Sequence, residues 1–358
     1  MERTAFILKP VVWTWVLGML SLPAHVFGQS SDVVRLTDSA GGTSIRGSIK
    51  RMSKRNVTIE SNGSDRRVEA NEIRFVTFGG ESRELRQART DLLEGRDNRA
   101  YEELTAIDLN TLSSDYLKQE VRFMRASTAV TLALRGEEVT ADEARDQLDK
   151  LLADPAFSDN FHYYEAVQLR GDMAMAIGDY QEAAQRFEEL AELPWPDTSL
   201  EAKLRLGQCL NGTEQYTQAI SQFDEVERSS LSDDQAREWK LMAQIGKAAA
   251  LAGTGQPDQG INMLEEIIRR QPSDNVELFA KLYTALGKCY LKAGKPKYAK
   301  HQFLHVDLLY NQDADSHAEA LFNLVDLWAQ EGNAQNSNEA RQTLVSRYPN
   351  SVWTSKLK

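Results

Sequence analysis

The sequence predicts a mainly α-helical solenoid of about seven helical hairpins, preceded by a small antiparallel β module. Two observations carry this prediction. Within apolar helical runs a glycine recurs in steps of 36, 39 and 41 residues, at Gly171, Gly207, Gly246 and Gly287. Before residue 81 the pattern changes to short, β-branched, partly alternating segments, which are typical of strands. We therefore expect three regions: a leader (1–28), a β module (29–80) and a helical body (81–358).

The first 28 residues have the pattern of a secretory signal peptide. Arg3 and Lys9 precede the apolar run 11–20, and small Gly28 offers a cleavage site. The alternative is an uncleaved anchor helix, but polar residues and Pro23 interrupt the run, and a spanning helix needs about 20 mostly apolar residues. The sequence thus predicts an extracytoplasmic protein of a periplasm or cell envelope.

In residues 29–80, five short segments predict an antiparallel, barrel-like sheet: 33–36, 43–52, 56–60, 66–70 and 73–78. Gly47 inside the second segment favours a sharp bend. The layout, with 45–49 as the bent strand and 71–73 entering the last one, resembles small Sm-like or SH3-like barrels. This resemblance implies a fold and no particular ligand.

Charge is unevenly distributed along the chain. The net charge is −11, whereas residues 29–80 hold nine basic and six acidic residues and the body from residue 81 onward carries −15. An acidic body excludes nucleic acid as the expected partner, since duplex affinity depends on Lys and Arg neutralising phosphates. The β module has a basic edge that either blocks edge-to-edge strand pairing or contacts cell wall or anionic lipid: Arg46, Lys50, Arg51, Lys54 and Arg55.

The apolar periodicity of the helical body predicts pairs of helices: 85–93 with 100–107, 116–134 with 141–152, 164–177 with 180–193, 200–210 with 216–226, 236–252 with 259–268, 276–292 with 298–309, and 317–330 with 339–347. The recurring glycines mark where paired helices approach most closely, with a small residue such as Ala183 on the second helix. Val325 and Gly260 depart from this rule, so we expect their hairpins to pack less regularly.

These residues resemble tetratricopeptide repeats. Tyr283-x2-Leu286-Gly287-x2-Tyr290, followed by Ala299-x3-Phe303, matches the repeat frame with Tyr in place of Trp. The segment 344–351 is similar to the ending of periplasmic tetratricopeptide proteins of the Tol-Pal-associated kind, which implies a role in envelope constriction or wall synthesis. The coiled coil usual in that group is replaced here by the β module. The resemblance implies a protein-binding scaffold.

The two cysteines occupy equivalent places two repeats apart, Cys209 after Leu206-Gly207 and Cys289 after Leu286-Gly287. Packed helix layers should separate them by roughly 20 Å, whereas a disulfide needs Cα atoms within about 7 Å. We predict two buried free thiols that act as small core residues.

Signals for catalysis are weak, and we expect no enzyme activity and no cofactor. His301 and His305 could share a helix face, but the sequence between them lacks the glutamate of a metalloprotease motif and no third ligand is evident. Phosphate loops and nucleophile elbows are absent from the sequence. No catalytic residue and no metal site are therefore predicted.

A partner-binding site is predicted on the first helices of the hairpins, which should line a concave groove. Five lysines lie there: Lys240, Lys247, Lys281, Lys288 and Lys292. The first two recur 41 residues later as Lys281 and Lys288. Polar residues should flank them: Gln168, Asp172, Gln208, Asn211, Asp326 and Gln330. Such a basic strip would favour a carboxylate-bearing peptide or chain terminus, and the alternative is scattered surface lysines.

The sequence therefore favours a non-enzymatic scaffold in the cell envelope that binds a protein or peptide in the groove. One alternative is an envelope tether that holds cell wall or anionic lipid through the β module. Another is a non-catalytic subunit of an envelope assembly or export machine.

Overall fold

The computed structural model describes residues 31–137, 139–272 and 274–357, which divide into two compact units, 31–169 and 170–357. The predicted signal peptide and its cleavage site after Gly28 lie outside the described residues. In the part of the chain that is described, no helix is both long and apolar enough to cross a membrane.

The first unit begins with a five-stranded antiparallel sheet in the order β4-β3-β2-β1-β5. Its strands are β1 (Asp32–Leu36), β2 (Ser44–Met52), β3 (Asn56–Ser61), β4 (Ser64–Glu69) and β5 (Ile73–Thr77). The small antiparallel sheet expected from the sequence is confirmed. Its inward side chains, such as Val34, Val57 and Val76, are fully buried, because alternate residues of a strand point to the same face.

The bend predicted at Gly47 is where β2 changes partner. Residues up to Gly47 pair with β1, and residues from Ser48 onward pair with β3. A Cβ atom on Gly47 would lie 1.9 Å from the carbonyl oxygen of Glu60. Only glycine permits the two backbones to approach this closely.

Four helices follow in the first unit: α1 (Arg83–Leu93), α2 (Asp97–Ala106), α3 (Asp115–Leu134) and α4 (Ala141–Leu152). Hydroxyl side chains begin three of them, since Ser82, Ser114 and Thr140 each accept a hydrogen bond from a backbone N–H of the first turn. Thr140 and Glu143 form a reciprocal capping box. These caps explain why the helices start where they do.

The loop after α4 is more apolar in its contacts than its sequence indicates. The segment 155–162 reads as a polar loop, yet Phe157 and Phe161 are buried within the first unit and Asn160 and His162 are buried with them. The turn between β2 and β3 lies against this loop. The backbone N–H of Lys54 donates to Asp159 Oδ1 at 3.1 Å.

The Lys54 side chain extends the same contact. Its Nζ lies 4.7 Å from the ring centre of Tyr163 and 5.4 Å from that of Tyr164, within the range of cation–π attraction. Both rings belong to the start of α5 (Tyr163–Ala176). The β sheet and the helices of the first unit therefore fold as one body.

A buried ionic network also joins the sheet to the helices. Arg89 on α1 donates to Glu81 at 2.8 Å and to Glu120 on α3 at 3.0 Å. The His162 ring lies between Glu120, 3.1 Å from Nε2, and Glu165, 2.8 Å from Nδ1. Glu81 accepts from the N–H of Phe78, just after β5, so the network runs from the sheet to α5.

The network determines the charge state of His162. Burial by itself lowers the pKa of this imidazole, but the negative charge of Glu120 and the hydrogen bonds with Glu120 and Glu165 outweigh burial and raise the pKa to about 9. The ring also stacks on Phe123, with 3.7 Å between ring centres. His162 is thus a buried cation at neutral pH.

Because the folded pKa of His162 exceeds that of an unfolded histidine, its contribution to stability is full below about pH 6.5 and is lost as the pH rises toward 9. The loss should be on the order of 3 kcal/mol. We expect the urea midpoint for unfolding of the first unit to fall between pH 6.5 and 9.5, and to depend less on pH in His162→Gln. Equal pH dependence in both proteins would contradict this role.

The second unit consists of helical hairpins. After α5 come α6 (Tyr180–Ala191), α7 (Pro196–Gly212), α8 (Tyr216–Arg228), α9 (Asp234–Gly253), α10 (Pro257–Arg270), α11 (Val276–Lys292), α12 (Pro296–Leu309), α13 (Ala314–Gln330), α14 (Ala334–Arg347) and the short α15 (Val352–Ser355). In the described residues all seven predicted hairpins are present, and the predicted mainly helical solenoid is confirmed.

Two helices begin four or more residues earlier than the apolar pattern indicates. Helix α7 starts at Pro196 rather than Leu200, because proline suits the first helical position, where no N–H is needed. Helix α14 starts at Ala334 rather than Glu339, because Asn333 caps it by accepting from the N–H of Asn336.

Three of the four recurring glycines, Gly171, Gly207 and Gly287, lie where the paired helices of their own hairpin cross, as predicted. A Cβ atom on Gly207 would lie 2.6 Å from the ring of Phe223, and one on Gly287 would lie 2.7 Å from the ring of Phe303. Gly246 differs, because the ring 2.4 Å from its Cβ position belongs to Phe223 of the preceding hairpin. Phe223 is therefore held between glycines on α7 and α9.

The cysteines lie in the core of the second unit. Cys209 on α7 and Cys289 on α11 are both fully buried free thiols, as predicted. Burial raises the pKa of each thiol to about 12. Cys289 Sγ lies 3.6 Å from the carbonyl oxygen of Ala248, close to Gly260, whose absent side chain leaves room for both.

Replacing Gly246 by alanine should be destabilising although alanine is the better helix former. The added methyl group would force the Phe223 ring to move, at a cost of about 1–3 kcal/mol. Urea unfolding should show this loss for Gly246→Ala and almost none for the exposed control Ser221→Ala. Greater stability of Gly246→Ala would refute the close approach.

Candidate functional site on the inner helices

The first helices of successive hairpins form a continuous inner face in the second unit. Helix α7 contacts α9, α9 contacts α11, and α11 contacts α13. We call the side of these four helices that faces away from their paired second helices the inner face. Every lysine of the predicted strip lies on α9 or α11.

Lys240 and Lys247 are engaged with the preceding hairpin. Lys240 Nζ donates to the carbonyl oxygens of Ser229 and Leu231, at 2.6 and 2.7 Å, just after the end of α8. Lys247 Nζ lies 2.5 Å from Asp224 and 3.0 Å from Glu227, both on α8. The two amines therefore join α9 to α8.

Lys281 and Lys288 turn the other way, toward α13. Lys281 Nζ lies 3.0 Å from Asp313, the cap of α13, and 2.8 Å from Glu277. Lys288 Nζ lies 2.8 Å from Glu319. Burial lowers the pKa of both amines, but Asp313 and Glu319 respectively outweigh this effect and raise it.

Lys292, at the end of α11, has an aromatic neighbour. Its Nζ lies 6.0 Å from the ring centre of Tyr216. The five lysines thus do not form one uniform strip, since four of them are held by carboxylates or carbonyl oxygens. Among the ion-paired members Lys288 is the most accessible, with 45% of its side chain exposed, against 25% for Lys281.

The predicted flanking residues fall into different environments. Asp326 and Gln330 on α13 are exposed, and Gln208 on α7 is half-buried. Asn211 donates to the carbonyl oxygen of Gly246 at 2.8 Å and so joins α7 to α9. Asp172 on α5 is half-buried, and burial raises its pKa to about 6. Gln168 belongs to the first unit, where it is half-buried on α5.

The sequence analysis did not identify the Asp315 carboxylate on the inner face. Asp315 lies one turn before Glu319 on α13. It accepts a hydrogen bond from the indole N–H of Trp353 at 3.3 Å. Asp315 is exposed to solvent and lies near the carboxylates of Glu319 and Asp313. The repeat pattern gives no signal for this site, because Trp353 lies beyond the last repeat.

The histidines take structural positions. The rings of His301 and His305 are 5.3 Å apart, and His305 meets the edge of Tyr283 at 4.7 Å. His317 is buried between the Tyr348 hydroxyl at 2.7 Å and Asp307 at 2.8 Å. In residues 31–357, apart from two undescribed positions, no group of three or more His, Cys, Asp or Glu could hold a metal ion.

Removing the amine of Lys281 should leave a buried carboxylate poorly paired. The Asp313 side chain is 3% exposed, so Lys281→Met should cost about 1–3 kcal/mol of unfolding free energy. The exposed Lys297 on the outer helix α12 provides the control, and Lys297→Met should change stability by less than about 0.5 kcal/mol. Equal urea midpoints for the two variants would show that the Lys281 pair does not hold α11 to α13.

Comparison with known proteins agrees with this architecture. Residues 174–245 match the model of the tetratricopeptide repeat family. No curated protein matches the sequence. A tetratricopeptide repeat protein from Parabacteroides merdae has a similar structure, at 16% identity and a TM-score of 0.56, covering 74% of this chain and 92% of its own.

Two further solved structures share the fold. A Rap protein complexed with competence and sporulation factor is 14% identical with a TM-score of 0.53, covering 76% of this chain and 75% of its own. NprR in complex with its cognate peptide NprX is 15% identical with a TM-score of 0.54, covering 76% of this chain and 80% of its own. These likenesses show that the chain has the fold of tetratricopeptide repeat proteins.

Proposed function

We propose that the protein is a non-enzymatic scaffold that binds a peptide or protein segment on the inner face of its second unit. The observation that carries this proposal is the inner face itself, where charged and polar side chains of α11 and α13 are placed side by side on rigid helices. NprR, which has the same fold, was solved with a peptide bound. A rigid, polar-lined groove suits an extended segment, because its polar groups fix the register of the bound chain.

Lys288 is the residue through which a partner carboxylate would act. It is held by one carboxylate, Glu319, and its side chain is nearly half exposed. A carboxylate of the partner can replace Glu319 or share Lys288 with it. Among the contacts between hairpins, only this one between α11 and α13 would be affected. Lys240 and Lys247, in contrast, serve the packing of α9 on α8. Asp326 and Gln330 extend the polar surface along α13.

Affinity capture from a solubilised envelope fraction tests the proposal. Residues 29–358 should retain a partner, and the combined change Lys288→Gln with Asp326→Asn should reduce retention about tenfold or more. Lys297→Gln, on the outer helix α12, should retain the partner fully. Retention that is equal in all three proteins would move the binding site away from the inner face.

The cellular setting that we propose is the periplasm or cell envelope. The signal-like pattern of residues 1–28 supports it, as does the similarity of 344–351 to Tol-Pal-associated proteins. Service as a non-catalytic subunit of an envelope assembly or export machine is the related alternative. A stable stoichiometric complex at natural abundance would favour the subunit, and weak exchangeable binding would favour the scaffold.

An envelope tether is a second candidate function. The predicted basic residues lie on the central strand β2 and the turn after it, not at an edge of the sheet. Arg46, Arg51 and Arg55 are exposed, whereas Lys50 pairs with Glu60 and Lys54 lies against Tyr163. The five-stranded sheet with its bend at Gly47 supports the resemblance of residues 29–80 to Sm-like or SH3-like barrels. The exposed arginines would supply the attraction for cell wall or anionic lipid.

Vesicle sedimentation tests the tether. The protein should sediment with vesicles that contain phosphatidylglycerol at low salt, less at high salt, and less when Arg46, Arg51 and Arg55 are all changed to Gln. Vesicles of phosphatidylcholine alone serve as the control. Absence of sedimentation at low salt would exclude anionic lipid as a partner.

A further inference from the structure

The two ends of the second unit meet. Gly178 lies in the turn between α5 and α6, in the first hairpin of the unit, and Val352 begins α15, after the last hairpin. A Cβ atom on Gly178 would lie 2.7 Å from Cγ2 of Val352 and 3.7 Å from its Cβ. The two ends of the row of hairpins are therefore in contact.

The neighbouring residue Tyr180 shows the same closure. It starts α6, yet the charges that act on its pKa include Asp315, Glu319 and Lys288 on α13 and α11. Burial raises the pKa of this phenol first, and the two carboxylates add to the effect. The first hairpin thus faces the fourth and fifth across the inner face.

Lys288 lies on the inner face, where it pairs with Glu319 at 2.8 Å and keeps 45% of its side chain exposed. A residue substituted at this position can therefore report access to the inner face.

The closing element is weakly held. Helix α15 has four residues, too few to be stable alone. Its anchors are the Trp353 ring, 5.5 Å from that of Phe322, the indole N–H bonded to Asp315, and the Thr354 hydroxyl, which donates to the carbonyl oxygen of Tyr348 at 2.6 Å. Val352, Trp353 and Thr354 are all only half-buried. Local opening draws on elements with few buried contacts.

We infer that α15 is a latch that closes the inner face of the second unit and that must release the α5–α6 turn before a partner segment can enter. The inference rests on the proposed binding function of that face. Release breaks the Val352 contact and uncovers the part of the last hairpin's core on which Trp353 and Leu357 pack, so the open state should be a minor population of a few per cent or less.

Thiol labelling tests the latch without any partner. Lys288→Cys places a reporter on the inner face, while Cys209 and Cys289 stay buried. A bulky maleimide carrying poly(ethylene glycol) should label the reporter slowly, and about tenfold or more faster when Val352→Asp or truncation after Asn350 releases α15. N-ethylmaleimide, a small reagent, should react at similar rates in all forms. Ser355→Asp, exposed on α15, is the matched control and should leave bulky labelling slow.

Equal bulky labelling with and without Val352→Asp, in variants that keep the thermal midpoint of the parent, would overturn the latch. If Lys288→Cys fails to fold, Asp326→Cys on the exposed side of α13 supplies the same reporter.

A covalent lock provides the converse test. The 3.7 Å spacing of the two Cβ positions is close to the mean of about 3.8 Å in disulfides. The pair Gly178→Cys with Val352→Cys should therefore oxidise within one molecule, at a cost in stability because Gly178 has a φ of +82°. The oxidised lock should prevent partner capture and the reduced form should restore it. Equal capture in both forms would reject the latch, whereas failure of capture by the unmodified protein would count against the proposed function alone.

Discussion

The second unit depends on the fit of an aromatic ring into the space left by a glycine at each helix crossing. In the hairpins of Gly171, Gly207 and Gly287, a Cβ atom on the glycine would lie within 2.6–2.8 Å of a phenylalanine sixteen residues later. The missing side chain lets the second helix approach its partner closely, and the ring fills the remaining space. Each hairpin buries its apolar face only by stacking on its neighbours. A substitution that disturbs one crossing should therefore also weaken the packing of the adjacent hairpins.

Two hairpins solve the crossing differently. In the third, Phe223 of the preceding hairpin occupies the space beside Gly246, so two layers share one ring. In the last, Val325 replaces the glycine, and the buried Ser337 of α14 donates its hydroxyl to the Val325 carbonyl oxygen at 2.8 Å. A directed hydrogen bond there takes the place of ring packing.

Local patterns were sufficient to predict the strands, the hairpins and the burial of Cys209 and Cys289, because each depends on residues close in sequence or on the repeat spacing. Partners of charged groups were not predictable in this way. Lys247 and Lys288 hold equivalent repeat positions, yet one pairs backward with α8 and the other forward with α13. The pairing partner of each lysine depends on which neighbouring helix has a carboxylate within reach of its amine. The same holds for His162 and for Val352, whose partners lie far away in sequence.

The contact of the β2–β3 turn with the loop after α4 and with the start of α5 has a consequence for synthesis of the protein. Lys54 needs Asp159, Tyr163 and Tyr164, which are made more than one hundred residues later. At about 5–20 residues per second, the sheet would wait on the order of ten seconds with that surface uncovered. During this interval the exposed Arg66 and Arg67 of the edge strand β4 and the exposed Arg74 of the edge strand β5 would oppose pairing with other chains.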